Sequence, residues 1–214
     1  MLLSSATSVR PLTSQEADAV PAYVTRAQSG DARAFEDIYR MHRRDVSRLA
    51  ARLLGPRGDL EDVIQEVFIQ VFRSLGSFRG DARFSTWLHR VTVNVTLMHI
   101  RALRSRPQLG NELLHEPAAP EDSPADGAAR AERLRALYKI LDTLSEKKRA
   151  VFILHDIEGL AAAQVAKMVE SNVLTVRTRL FYARKEVYAA MAQDPTLESI
   201  ASELQNAEHE GAAT

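Results

Sequence analysis

Residues 60–75, LEDVIQEVFIQVFRSL, place Leu60, Val63, Ile64, Val67, Phe68, Val71, Phe72 and Leu75 at i, i+3, i+4, i+7, i+8, i+11, i+12 and i+15. No position of that template is missed, so the stretch predicts an amphipathic helix with one continuous core face. Asp59, just before it, is the expected N-cap. The opposite face carries Asp62, Gln65, Glu66, Ile69, Gln70 and Arg73. A lone surface isoleucine carries little information. Ringed by acids and amides, Ile69 also fits the centre of a protein-docking patch with a polar rim.

Helix signals continue on both sides. Gly30 ends a short segment that starts near Pro21, and Asp31 is placed to cap a helix from about 32 to 54. GSFRGDARF, residues 76–84, is a loop by its glycines, and Ser85 can cap a further helix to about 104. The inward stripe of that helix is Phe84, Leu88, Val91, Val95 and Met98. Residues 107–129 hold four of the eight prolines and show no periodicity, so they predict a linker, which extended would span at most about 75 Å. Helices then resume at about 130–143, 146–157 (capped by Ser145, followed by Gly159), 161–169 and 172–192. Leu197, Ile200 and Leu204 continue the helical spacing into an acidic tail. The predicted fold is all-α. Two small helical domains, 21–106 and 130–192, are joined by a flexible acidic linker at 107–129. They are flanked by a flexible N-terminus, 1–20, and the tail, 193–214.

The 214 residues carry 28 basic and 28 acidic side chains, but not evenly. Residues 79–106 hold six arginines against one aspartate, and 165–185 hold five bases against Glu170. Residues 107–129 and 192–214 each hold five acids and no base. Two basic segments on a neutral chain suit anionic partners at two places, although solvated helix faces account for such clusters as well. With no cysteine there is neither a disulfide nor a thiolate metal site. The six histidines form no ligand motif, and no glycine-rich phosphate loop is present. No metal, cofactor or catalytic residue is expected. No apolar run approaches the roughly 18 residues of a membrane span, and the first residues do not read as a secretory signal. A cytoplasmic protein is the expectation.

Residues 160–185, LAAAQVAKMVESNVLTVRTRLFYARK, read as a helix-turn-helix. Ala166 is small where two helices cross, and Val165, Val169, Val176 and Leu180 face inward. The second helix then offers Thr175, Arg177, Thr178, Arg179, Tyr182 and Arg184 to a duplex. Arginine pairs bidentately with guanine or clamps phosphate, and threonine hydroxyls position the backbone. The other basic stretch, FRGDARFSTWLHRV (78–91), holds the only tryptophan. A loop with Phe78 and Arg79, cations at Arg83, Arg90 and Arg101, and the amide of Asn94 form a set that can hold an unstacked base. Trp87, Arg90, Asn94 and Arg101 share one helical side. Core packing is an equal reading of Trp87, and it is the preferred one for Phe84.

DLEDVIQEVFIQVFRSL, FRGDARFSTWLHRVTVN and LSEKKRAVFILHDIEGL, followed by the helix-turn-helix, together resemble an extracytoplasmic-function (ECF) sigma factor of bacterial RNA polymerase, over about residues 25–190. The resemblance implies a promoter-recognition subunit of two domains. The face with Asp62, Gln65, Glu66, Ile69, Gln70 and Arg73 would dock on the clamp of the largest polymerase subunit. Residues 76–104 would melt the minus-ten element, with Asn94 matching the family's asparagine, and the helix-turn-helix would read the minus-thirty-five element. The linker would thread the polymerase channels; either its acids imitate nucleic acid there or the segment is a plain solvated tether. An anti-sigma factor is implied as a further partner. The chain departs from the family at Glu170 and Leu174, where glycine is common, and at Ser171, which is usually apolar. The alternative is a free-standing helix-turn-helix regulator whose first module senses a ligand or partner. The tail is expected to be a frayed helix, or a cover for a basic surface or a contact for a regulator.

Overall fold

The computed structural model describes residues 20–56, 60–105 and 124–204. The expected cap Asp59, residues 1–19, residues 106–123 with Glu112, Glu116, Glu121 and Asp122, and residues 205–214 lie outside them. The first module consists of α1 (Ala22–Gln28), α2 (Ala32–Leu54), α3 (Leu60–Ser74) and α4 (Phe84–Ser105). The second consists of α5 (Pro124–Leu141), α6 (Glu146–Phe152), a π-helical turn (Ile153–Ile157), α7 (Ala162–Met168), α8 (Val173–Met191) and α9 (198–204). Among the described residues there is no strand, and no helix is long and apolar enough to cross a membrane.

In the first module α2, α3 and α4 pack pairwise around Ile38, Val46, Ala50, Val63, Ile64, Val67, Val71, Leu88 and Val95. Asp31 caps α2 by accepting the Arg33 and Ala34 amides at 3.0 and 3.1 Å. The Arg26 guanidinium, with these amides, holds the Asp31 carboxyl below the usual carboxylate range. α1 lies across the start of the next loop, where Gln28 Nε2 donates to the carbonyls of Leu75 and Phe78 at 3.0 and 2.8 Å. Two residues of the expected apolar stripes turn outward. Phe72 is 68% exposed, beside Phe35 of α2, and Met98 is 54% exposed. α4 begins at Phe84, so Ser85 lies inside its first turn instead of capping it.

In the second module α5 begins at Pro124, six residues before the expected start at 130. Proline lacks the amide that a first helical residue leaves unpaired, so it opens a helix here and does not extend the linker. Ser145 stands at the N-cap of α6, but its side chain makes no capping bond. The tail differs from the frayed helix expected of it. Leu197 and Ala201 are buried in the second core, and Ile200 and Leu204 pack against it.

The two modules are packed against each other. Leu49 and Leu53 of α2 and Val93 of α4 belong to the same buried cluster as Tyr138, Leu141, Val151 and Leu154. The seam closes over the C-terminus of α2. Arg149, 1% exposed, donates from Nε and Nη2 to Leu53 O at 3.1 and 2.9 Å, and from Nη2 to Leu54 O at 3.0 Å. Tyr138 donates its hydroxyl to Arg52 O at 2.9 Å. Burial pushes its phenol up to about 12. Gly55 ends α2 at φ +77, ψ −161, a region open essentially to glycine alone. A Cβ there would meet the Tyr138 ring at 2.5 Å. Gly55→Ala is therefore expected to destabilise the chain by at least about 1–3 kcal/mol, read by urea denaturation. An unchanged midpoint would contradict this account of the seam.

Candidate polymerase and nucleic-acid interfaces

On α3, Asp62, Gln65, Glu66 and Arg73 are exposed, while Ile69 and Gln70 are half-buried. Asp62, Gln65, Ile69 and Arg73 line a groove of about 750 Å³ between α2 and α3, whose apolar floor is Phe35, Tyr39, Phe68, Ile69 and Phe72; Glu66 and Gln70 stand outside its lining. The Phe35 and Phe72 rings meet edge to face at 5.1 Å, and Tyr39 lies 4.6 Å from Phe68. Arg43 of α2 donates to Glu61 at the rim, at 2.8 and 2.9 Å. The sequence pattern picked out the polar rim and Ile69. It missed Phe35, Tyr39 and Phe72 as groove residues, because a single helical wheel cannot show a wall supplied by another helix.

The loop before α4 and the first turns of α4 form one wall of a cleft of about 780 Å³; α7 and the turn after it form the other. Phe78, Phe84 and Trp87 make a triangle of rings 5.4–5.6 Å apart, with His42 and Tyr23 beside Phe84. All three rings of the triangle are buried. Phe78 and Trp87 are core rings that also border the cleft. Burial also lowers the His42 imidazole below its usual range. Gly80, at φ +82, lets the loop backbone pass Val20, whose methyl would lie 2.7 Å from a Cβ. Arg79 is exposed and lines the cleft, Arg83 is half-buried, and Asn94 is exposed.

The remaining cations of α4 are engaged across the seam. Arg90 lies 3.5 Å from the Glu170 carboxylate. Arg101 forks onto Glu146 at 2.6–3.1 Å, which holds the Glu146 carboxyl below its usual range and the guanidinium above. Arg104 donates to Asp142 O and Leu144 O at 2.9 and 3.2 Å.

The helix-turn-helix is α7 and α8. The Ser171 amide closes on Ala166 O at 2.9 Å, and Glu170 sits at φ +49. This is the Schellman ending of a helix, with its left-handed residue supplied by glutamate where glycine is easiest. Asn172 then caps α8 by accepting the Thr175 amide at 2.7 Å. Ala166 is buried at the crossing, as are Val165, Val176 and Leu180, while Val169 is half-buried. Arg177, Thr178 and Tyr182 are exposed, and Thr175 is half-buried. Tyr182 lies under Lys148, 5.9 Å from its ring centre. Two of the expected duplex contacts are half-buried and engaged within the module. Arg184 forks onto Asp156 of the π turn, with its Nε at 3.0 and 3.2 Å, and Arg179 lies 3.5 Å from Ser171 Oγ. Neighbouring His155 donates instead to Leu160 O at 2.6 Å. No group of three or more His, Asp or Glu among the described residues is placed to hold a metal.

Residues 38–106 match the profile of sigma-70 region 2, and residues 134–187 that of sigma-70 region 4. The chain is 34% identical over 172 residues to the ECF RNA polymerase sigma-E factor of Escherichia coli K12, covering 77% of this chain and 90% of that one. The chain belongs to the ECF sigma-factor family. The sigma-E factor of Haemophilus influenzae is 33% identical over 175 residues, covering 78% and 92%. Among solved structures, CnrH in complex with the cytosolic domain of CnrY superposes with a TM-score of 0.57 at 26% identity, covering 80% of this chain and 96% of CnrH. The sigma factor RpoE of Bartonella quintana, in complex with the anti-sigma factor NepR, shares the fold at a TM-score of 0.55 and 18% identity, covering 76% and 99%. The sigma factor is an alternative one, and it acts in transcription initiation. A free-standing regulator would account for region 4 alone, whereas region 2 spans most of the first module here.

Glu170 gives a direct test of the turn. Glu170→Gly and Glu170→Ala both lose the carboxylate, and only alanine keeps a Cβ in the left-handed conformation. The glycine variant is expected to be the more stable of the two by about 1 kcal/mol, measured by denaturation. Equal stability would mean that the turn is built differently.

Proposed function

We propose that this sigma factor divides initiation among three surfaces. The α2–α3 groove, lined by Asp62, Gln65, Ile69 and Arg73, docks with Glu66 and Gln70 of the same helix on the clamp of the largest subunit of core RNA polymerase. An aromatic floor inside a polar rim is the arrangement of a protein-binding hot spot, and this groove is the observation that carries the reading. The loop and α4 take the melted minus-ten strand, with Asn94 offering a donor and an acceptor to a base edge. Arg79, Arg83, Arg90 and Arg101 hold its phosphates, and the Phe78–Trp87 ring cluster forms the back wall. The exposed side of α8 reads the minus-thirty-five element as duplex, from Thr175, Arg177, Thr178 and Tyr182. Arg179 and Arg184 serve mainly to brace the helix from within.

The ion pairs of Arg90 with Glu170 and of Arg101 with Glu146 support a second part of the proposal. In the free chain the second module occupies the side of α4 that the melted strand uses. Binding core polymerase separates the modules, and the two acids give way to phosphates. An anti-sigma partner would act in the opposite sense, by covering the α2–α3 groove and keeping the modules together. The B. quintana RpoE complex with NepR is a precedent in fold.

Charge reversal at Asp62 or Glu66 is expected to weaken core-polymerase binding at least tenfold in a fluorescence titration and to leave the helical content unchanged. Asn94→Ala is expected to slow promoter opening, read by permanganate reactivity of unpaired thymines, more than it slows closed-complex formation. Loss of all steps alike in every variant would indicate misfolding and overturn the assignment.

A further inference from the structure

Taking α8 as the duplex-reading helix, we infer that Leu174 is a specificity residue that recognises the 5-methyl group of a thymine in the major groove. Leu174 is the second residue of α8 and is 74% exposed. At 3.6 residues per turn, Leu174, Thr178, Phe181 and Lys185 fall within a sector of about 60°. Val176, Leu180, Ala183 and Val187, all buried, lie opposite. The most outward line of the helix is therefore not the arginine set that its sequence suggests. It is an apolar stripe with a lysine at its far end.

Three of the six exposed large apolar side chains among the described residues, Leu174, Phe181 and Tyr182, stand on this helix. Phe181 and Tyr182 brace each other edge to face at 5.4 Å. Thr178 turns its hydroxyl back to Leu174 O at 3.0 Å, which leaves its methyl group to the outside. Leu174 thus heads a continuous apolar line, one turn before Thr178.

An apolar stripe fits many partners, and the charge around this one selects among them. Arg177 flanks it on one side and Lys148 stands over Tyr182, while Lys185 closes its end. Arg179 lies nearer the core, and on α8 itself the only acid is Glu186, which binds Lys148 at 2.6 Å. Cations around an apolar centre complement a groove with phosphates at its edges and a methyl group on its floor. The first turns of a recognition helix are the part that reaches base edges. Thymine is the base that offers a methyl there, and apolar side chains are its partners. Leucine at 174 would give this sigma factor a methyl contact that a smaller residue such as alanine or glycine cannot make.

Thymine and deoxyuridine differ by that methyl alone. A duplex upstream element is first selected from a random library with holoenzyme, formed from the full chain and core polymerase. Each of its thymines is then replaced in turn by deoxyuridine, and holoenzyme binding is measured by competition. Wild type is expected to lose about fourfold at one thymine, the value of one buried methyl group. Leu174→Ala should lose about as much on the thymine duplex and nothing further on the deoxyuridine duplex, and Leu174→Met should restore discrimination. Arg177→Ala serves as the control, losing affinity equally for both duplexes. If Arg177→Ala weakens binding while Leu174→Ala does not, or if no thymine is sensitive, the methyl contact is refuted and the reading of α8 stands. If neither variant affects the upstream element, that reading falls too.

Discussion

A guanidinium sealed at the end of a helix holds the two modules together. Taking Arg149 out of water carries a desolvation penalty of several kcal/mol, and that burial pulls its pKa down while Asp142 opposes the shift. Three things offset the penalty at one place. Asp142 pairs with Nη1. The last carbonyls of α2, which have no amide partner within the helix, accept from Nε and Nη2. The negative end of the α2 dipole favours a cation there. The Tyr138 ring, 5.8 Å from the guanidinium and pressed over Gly55, shuts out solvent. Removing any one of these leaves the others with an unmet polar group. The seam is therefore specific in a way that the apolar contacts of Leu49, Leu53 and Val93 alone are not.

That grip determines what the rest of the seam does. With α2 anchored to α6, α4 lies along α6 and α7, and Arg90 and Arg101 face Glu170 and Glu146. The Arg90–Glu170 pair is exposed at both ends and worth little by itself, and in the Arg101–Glu146 fork the guanidinium stays exposed while the carboxylate is mostly covered. As proposed, the surface pairs exchange for phosphate while Arg149 and its carbonyls hold the modules closed. On the proposed reading, stability and readiness to open are assigned to different residues, the first buried and the second at the surface.

Much of the helical scaffold was legible from single stretches. The period of 60–75 marks α3 and its core face, Asp31 marks the start of α2, and the spacing of Val165, Val176 and Leu180 marks the helix-turn-helix. Each of these signals is local. What escaped depends on a distant partner. Arg149 stands in EKKRA, where nothing distinguishes it from the two lysines before it, and the carbonyls it binds lie on α2, far back in the chain. Phe72 continues a perfect stripe, yet it lies exposed between the buried Val71 and Leu75, and the groove it helps to form needs Phe35 from α2. Trp87 and Phe78 looked available for bases because polar residues surround them in sequence, whereas the ring cluster that buries them comes from residues on both sides of the loop. Glu170 is the reverse case. Glutamate stands where the resemblance leads one to expect glycine, which put the geometry of the turn in doubt, yet the backbone adopts the left-handed conformation there with glutamate in place.

The central claim, that the Arg149 fork closes the two modules, is tested most directly by small-angle X-ray scattering of the full chain and of its Arg149→Lys variant. Lysine keeps a cation for Asp142 but has no fork to span two carbonyls. The wild type should scatter as a compact particle, and the variant, with its helical content intact, should show a larger radius of gyration and a second maximum in its distance distribution. Superimposable curves would contradict the account.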